Sequence, residues 1–503
     1  VTVIERLRTR LVGGDAAQRL FASGDAKARV YDALVSLLIP RDPERALGFV
    51  ERSSNEELRN RFGGAKLAYA DTARTKALAA ARDLQTRADA LRGQITATYR
   101  SGDTASTVGQ RATLRRNLLV AENDYRGFVE KVVRTQPNLK NHIADAARSL
   151  RGAKAGLPKD AAVLAYMPGD ERLYIFAATR DTVVAASVDI GRVELERRVM
   201  ELVKAARRAP SGAARVGRGV GDDGAPAPAT GDVRVLAAAL DSLLIQPLAR
   251  QLVGKTRLAI MPSGVLFYMP FEILGQPVAG GGFRYLAEDR TIFYVSNSER
   301  IATGAKAMAR PRIMAFGNAD NTLQSAEKEV QAIKARYPDT RVYVRGEATK
   351  VRASAVPESY NVVHFATHGM LDTAFATSYL KLAGNGPSDD GRLTASDIFA
   401  LPGSGRSMVV LSACNTAVTD QSVADWPNSL ALAFMDIGVK TVVASLWPVD
   451  DEATAILMNA FYRDIPKLGR AEALRHAQQE LIKDPRYNHP YFWGAFVLLG
   501  DWM

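Results

Sequence analysis

Two residues of this chain have the types and the setting for nucleophilic catalysis. Cys414, the only cysteine, ends the apolar run Ser407-Met-Val-Val-Leu-Ser-Ala-Cys414. Upstream, a second run, Asn361-Val-Val-His-Phe-Ala-Thr-His368-Gly369, ends on an imidazole. Each run reads as a buried parallel strand, and in an open parallel sheet chemistry gathers at the carboxyl ends of strands. A thiol and an imidazole at two such ends make a nucleophile beside its base. A free thiol with a pKa of ~8.5 is only a few per cent thiolate at neutral pH. The imidazole pairs with the thiolate or takes its proton during attack, and later protonates the leaving amine. A lone cysteine is ordinarily an inert core residue; here its place at a strand end argues otherwise.

The developing oxyanion needs donors already in place. Gly369 has no Cβ, so its N–H can approach a carbonyl closely, and the N–H groups of Gly369 and Cys414 are the expected oxyanion hole; a plain turn role for Gly369 is the alternative. His364 lies four residues before His368, inside the strand. It shares a face with His368 only if the strand runs unbroken, so a buried, hydrogen-bonded histidine is expected rather than a direct participant. His142 and His476 have no comparable context, and His489 precedes Pro490 near the last strand.

The elements that must position these groups occupy the carboxyl-terminal part. Strand patterns at 312–316, 341–344, 362–366, 408–411, 441–446 and 493–499 alternate with helix patterns at 325–336, 429–437, 451–464 and 470–483. This is a mostly parallel sheet covered on both faces, an α/β fold. Before it, strand patterns at 161–166, 172–177 and 183–188 lead to a helix at 192–207. A Gly-, Ala- and Pro-rich stretch at 210–232 reads as a flexible loop, followed by a helix at 233–250 and a strand at 258–261. Residues 1–64 read as helices broken at Pro40-Arg-Asp-Pro43. Two heptad stripes follow, Ala77 to Ile95 and Leu114 to Val132, and predict an antiparallel helical hairpin over 65–150.

Several of these segments together resemble the CHAT family of caspase-like peptidases, usually found behind helical TPR repeats. They are His364-Phe-Ala-Thr-His-Gly369, Leu411-Ser-Ala-Cys-Asn-Thr416 and Ala444-Ser-Leu-Trp-Pro-Val-Asp-Asp451. Upstream and downstream, Ile260-Met-Pro262, Met269-Pro-Phe-Glu-Ile-Leu274, Tyr285-Leu-Ala-Glu288 and Phe492-Trp-Gly-Ala-Phe496 extend the likeness over about 157–503. The resemblance implies a caspase-like α/β fold with a pseudo-protease half at 157–300, which has no His or Cys, and an active half at 310–503. It implies a degenerate TPR-like region at 1–64. It puts the catalytic pair on His368 and Cys414, in keeping with the caspase spacing of ~50 residues. It implies a protein substrate, such as a gasdermin or another dedicated target, and an activating protein partner in a bacterial regulatory or defence system.

Caspase-like enzymes that cut after Arg or Lys place an acid in the pocket, and metacaspases carry one two residues before the Cys. Ser412 stands there in this chain, which counts against a basic P1 residue. Asp372, Asp420, Asp450 and Asp451 are the candidate carboxylates. Asp450 and Asp451 also open a helix, where an acid caps free N–H groups. Trp447 is read as a pocket wall or as a core residue.

The 503 residues predict about three domains of ~150 residues. No run of ~18 apolar residues occurs, so no transmembrane helix is expected. The chain starts at Val1 rather than Met, and the expectation is that a segment precedes it; no signal peptide is read. One Cys leaves no internal disulfide and no Cys-rich zinc site, no cofactor is expected, and a cytoplasmic location is inferred. The net charge of +12 comes largely from arginines on helix patterns beside acids. With 7% aromatics and no nucleic-acid motif, direct nucleic-acid binding is not expected. Gly254-Lys-Thr256 lacks the earlier glycine of a P-loop, and no Gly-x-Ser-x-Gly elbow exists. The rival reading is a catalytically silent caspase-like scaffold.

Overall fold

The computed structural model describes residues 25–63, isolated positions between 80 and 98, 105–135, 156–210, 232–295, 308, 310–370, 377–386, 389–401, 405–412 and 429–503. Cys414, Asp372 and Asp420 lie outside these residues, as do His142, three of the six positions of the first heptad stripe (77, 81 and 88) and nearly all of the 210–232 stretch. The chain divides into two compact units, 1–37 with 68–148, and 38–67 with 149–503.

The first unit holds most of α1 (Asp25–Leu38), and α2 (Pro43–Gly63) belongs to the second. α2 starts on its proline, which needs no N–H there, and Asp42 accepts the Arg45 N–H at 3.0 Å. In the first unit, α3 (Ala105–Thr135) is one 31-residue helix. Its positions 114, 118, 121, 125 and 128 are buried or half-buried, and the described residues between them are exposed. The second heptad stripe is therefore the packed seam of this helix.

The strands of the second unit are β1 (Ala161–Pro168), β2 (Leu173–Ala178), β3 (Val183–Val188), β4 (Arg257–Met261), β5 (Gly275–Val278), β6 (Gly282–Tyr285), β7 (Thr291–Tyr294), β8 (Ile313–Gly317), β9 (Arg341–Val344), β10 (Val362–Ala366), β11 (Gly369–Met370), β12 (Tyr379–Lys381), β13 (Arg392–Thr394), β14 (Met408–Leu411), β15 (Thr441–Ser445) and β16 (Phe496–Gly500). Its remaining long helices are α4 (Arg192–Ala206), α5 (Val233–Leu244), α6 (Gln324–Arg336), α8 (Ser429–Asp436), α9 (Asp451–Leu468) and α10 (Arg470–Lys483), with the shorter α7 (Ala395–Ala400).

Eleven strands make one sheet in the order β3-β2-β1-β4-β7-β16-β15-β14-β10-β8-β9. Neighbours run parallel except at β1–β2, β2–β3 and β15–β16. Because β16 is parallel to β7 and antiparallel to β15, β1, β4 and β7 run opposite to β8, β9, β10, β14 and β15. The carboxyl ends of these two strand groups therefore open at opposite edges of the sheet.

Inside the sheet the apolar runs of β4, β8, β10, β14 and β15 are buried on both faces, as parallel strands must be, whereas the edge strands β3 and β9 are half-buried. Along β10 the side chains alternate. His364 packs on Tyr462 of α9, whereas Phe365 stacks on Phe316 of β8 and Phe434 of α8. Each fully buried aromatic ring of this kind contributes about 1.5–3 kcal/mol. Pro466 sits inside α9 and has no N–H for the carbonyl of Tyr462; the Tyr337 hydroxyl donates to that carbonyl instead, at 2.6 Å.

Two sequence expectations are corrected. The helix expected over 233–250 ends at Leu244, where Pro247 opens a separate 3-10 helix, Gln246–Leu252. The last strand starts at Phe496 rather than 493, because Pro490 begins a helical turn, Pro490–Trp493, capped by the His489 side chain. The sequence reading missed the short strand β7, which has only four residues. Among the described residues no helix is long and apolar enough to cross a membrane.

Candidate active site

The site grows from the carboxyl ends of three neighbouring strands, β8, β10 and β14. β8 runs into Asn318, whose φ of 50° is a left-handed conformation that Asn tolerates better than most residues. Asn318 is fully buried and organises the turn around it. Its N–H donates to the Ala366 carbonyl at 3.0 Å, its Oδ1 accepts from the Leu323 N–H at 2.7 Å, and its Nδ2 donates to Glu327 at 3.2 Å. The loop held this way presents Asp320 and Thr322 to the end of β10.

There the strand stops at Ala366, and His368 turns into this loop. Its Nε2 lies 2.7 Å from Thr322 Oγ1 and 3.7 Å from Asp320 Oδ2. Thr322 Oγ1 donates its one proton to Asp320 Oδ1 at 2.6 Å, so toward His368 it can only accept. The imidazole proton therefore sits on Nε2, and Nδ1 keeps a lone pair with no hydrogen-bond partner among the described residues. A histidine held in this tautomer is ready to take a proton at Nδ1. Its side chain is 23% exposed, so a substrate can reach it.

Two carboxylates flank His368, and their environments differ. Burial pushes the Asp320 carboxyl up, but the Thr322 hydroxyl and N–H and the nearby imidazole outweigh it and hold the group below its ordinary value. Asp451, at the start of α9, is raised by burial, with the Ser325 hydrogen bond and His368 pulling the other way. Environments that push two acids apart around one histidine suit an acid–base site.

The strand register bears on the nucleophile. Val362 pairs with Met408 and Phe365 with Leu411, an offset of 46 residues, and the same offset separates His368 from Cys414 in the sequence (408 − 362 and 414 − 368 alike). Next to His368, the Lys381 N–H donates to the His368 carbonyl at 2.7 Å. His368 and Lys381 are thus the hydrogen-bonded pair, and Gly369 with Leu380 is the non-hydrogen-bonded one. The Gly369 N–H accordingly points away from β12.

The remaining candidates fall as follows. His364 is fully buried, with Nδ1 3.1 Å from the Tyr462 hydroxyl and Nε2 3.0 Å from Glu329 Oε1, as the sequence led us to expect. Asp450 is the N-cap of α9 and accepts from the Glu452 and Ala453 N–H groups at 3.0 Å each. Trp447 is fully buried and its indole N–H donates to the Tyr491 carbonyl at 3.1 Å. His489 caps a helical turn, and His476 lies 3.6 Å from Asp464. The sequence reading missed Asp320 and Thr322. The signal was present in Asn318-Ala-Asp-Asn-Thr322, a turn-forming run directly after a strand and so at a carboxyl end. Among the described residues no group of three or more His, Cys, Asp or Glu could hold a metal ion.

Residues 234–501, more than half of the chain, match the CHAT domain. The chain belongs to the CHAT-domain family. It is 24% identical over 327 residues to tetratricopeptide repeat protein 28 of Homo sapiens, covering 52% of this chain and 13% of that protein. With the Mus musculus protein of the same name it shares 33% identity over 110 residues, 22% of this chain and 4% of that one. The CHAT-domain chain thus spans only a small part of these relatives. Among solved structures it is similar to the Saccharomyces cerevisiae separase–securin complex, with a TM-score of 0.42 at 11% identity, covering 93% of this chain and 41% of that one. The Arg-specific cysteine proteinase gingipain R gives 0.36 at 11% identity, covering 52% and 67%. The CHAT match takes in β4 to β16, and with them both strand groups of the sheet.

Proposed function

We propose that this CHAT-domain chain is a cysteine endopeptidase in which Cys414 attacks a peptide carbonyl and His368 moves the protons. The observation that carries this reading is the shared offset of 46 between the β10–β14 register and the spacing of His368 and Cys414. Both residues follow, in the sequence, the carboxyl ends of adjacent parallel strands. The tautomer held by Thr322 and Asp320 supports it, since it leaves a basic nitrogen on a half-exposed imidazole.

In this mechanism the Cys414 thiol gives its proton to His368 Nδ1, and the thiolate sulfur bonds to the scissile carbon. The carbonyl oxygen becomes an oxyanion that accepts from the N–H groups of Gly369 and Cys414. Collapse breaks the C–N bond, and the imidazolium returns its proton to the departing amine. Water, deprotonated by the same imidazole, then releases the acid from the thioester. Asp320, 3.7 Å from Nε2, stabilises the imidazolium formed in each half-reaction.

The same reading assigns Asp372 or Asp420 to the substrate pocket, with Trp447 behind its wall. It takes the substrate to be one dedicated protein, of gasdermin type or another, and a protein partner to raise a low basal activity. That assignment follows the family resemblance of the motifs. The test is mass spectrometry of new protein N-termini in a lysate treated with the chain or with Cys414→Ala. Termini that vanish with Cys414→Ala and with His368→Ala, but persist with His489→Ala, are expected. Cleavage that survives Cys414→Ala would overturn the mechanism.

A further inference from the structure

Behind His368 a chain of buried polar side chains takes no part in the proton transfers. Ser412 follows β14 and precedes Cys414 by two residues; its Oγ donates to Glu329 Oε2 of α6 at 3.2 Å. The other carboxylate oxygen lies 3.0 Å from His364 Nε2, and His364 Nδ1 lies 3.1 Å from the hydroxyl of Tyr462 on α9. Burial holds the Tyr462 phenol well above its ordinary range, so it keeps its proton and donates it to Nδ1. The imidazole proton then sits on Nε2, 3.0 Å from Glu329 Oε1 but off the line of a hydrogen bond. Ser412 is thus the hydrogen-bond donor to a carboxylate whose side chain is 6% exposed, with His364 beside its other oxygen.

Stability alone does not call for such an arrangement. Apolar side chains of the same volume often hold a core as well or better than buried charged groups. A buried carboxylate that takes its hydrogen bond from Ser412 instead favours the geometry that keeps that bond, because losing it strands a desolvated acceptor. The same helix also serves the histidine side of the site. Glu327 accepts from Asn318 at 3.2 Å, and Ser325 hydrogen-bonds Asp451. α6 therefore holds the loop that orients His368 and, two residues further on, Ser412.

We propose that Glu329, buried beside His364, is a positioning residue for the nucleophile: its carboxylate fixes Ser412, two residues before Cys414 in the sequence. This inference rests on the peptidase reading and extends it. Cys414 is the only thiol, so alkylation by iodoacetamide reports on this residue alone and needs no substrate. The rate–pH profile is measured on the full chain and on His368→Ala, Ser412→Ala, Ser412→Thr and Glu329→Gln, with unfolding midpoints alongside. His368→Ala is expected to move the profile by about one pH unit, about tenfold in rate at neutral pH. Ser412→Ala and Glu329→Gln are expected to move it in the same direction. Ser412→Thr, which keeps the hydroxyl, retains the parent profile, and the half-buried Ser412 variants keep the parent midpoint. Should Glu329→Gln fail to fold, the Ser412 pair decides alone. A profile moved by His368→Ala but not by Ser412→Ala overturns the positioning role and leaves the peptidase reading standing. A profile unmoved by His368→Ala overturns the peptidase reading, and the positioning role with it.

Discussion

Glu272 gives the sharpest quantitative test of the sheet half that carries no His or Cys. It lies in Met269-Pro-Phe-Glu-Ile-Leu274 and is 2% exposed. Its Oε2 accepts from the Tyr294 hydroxyl at 2.7 Å, and that hydroxyl accepts from the Phe271 N–H at 2.7 Å. Burial pushes the carboxyl up from its ordinary 4.5 to about 8, with the Tyr294 hydrogen bond pulling the other way. The folded chain therefore binds a proton that the unfolded chain releases. The resulting contribution is complete below about pH 4.5 and is lost as the pH climbs to about 8. Between pH 5 and 7.5 that loss is about 3 kcal/mol.

The perturbation is Glu272→Gln, which cannot titrate and keeps the shape. Its amide adds an unsatisfied N–H, a cost of about 1–3 kcal/mol that does not vary with pH. The assay is urea unfolding of both chains at pH 5, 6, 7 and 7.5. The parent is expected to lose about 3 kcal/mol relative to the Gln variant over this range, most of it above pH 5.5. Parallel stability curves would refute the reasoning, because they would mean that Glu272 has the same proton affinity folded and unfolded.

Two further predictions concern the site. Thr322→Val removes the hydroxyl that fixes the His368 tautomer, and kcat is expected to fall about 10²-fold or more with KM little changed; Thr322→Ser should restore most of it, and equal activity of the Val variant would exclude the relay. Asp450→Ala removes the cap of α9 and should cost about 1 kcal/mol of stability, with Asp450→Ser recovering it. A rise in KM from Asp450→Ser would show that the carboxylate also contacts substrate.

What the sequence determined by itself was the set of buried strands and the two that end in chemistry. Runs such as Val362–Ala366 and Met408–Leu411 are apolar because both faces of a parallel strand are covered, so their composition reports the environment directly. Histidine and cysteine at the ends of such runs stand out for the same reason. Three of the family motifs, those starting at His364, Leu411 and Ala444, begin within β10, β14 and β15. Ser412, standing two positions before Cys414, was noted only for what it lacks, an acid.

Strand order was decided by tertiary structure alone. Apolar runs say that a strand is buried but not which neighbour it meets, and nothing in β16 signals that it pairs with β7 and reverses the sheet against β15. The groups around His368 were beyond sequence reading for a related reason. Asp320 and Thr322 come from 46 to 48 residues upstream of it, and Asp451 from the far side of two further strands. Glu329 meets Ser412 across 83 residues of sequence. Such contacts depend on helices settling into place over a finished sheet, where packing shape and the need to satisfy each buried polar atom select the partner.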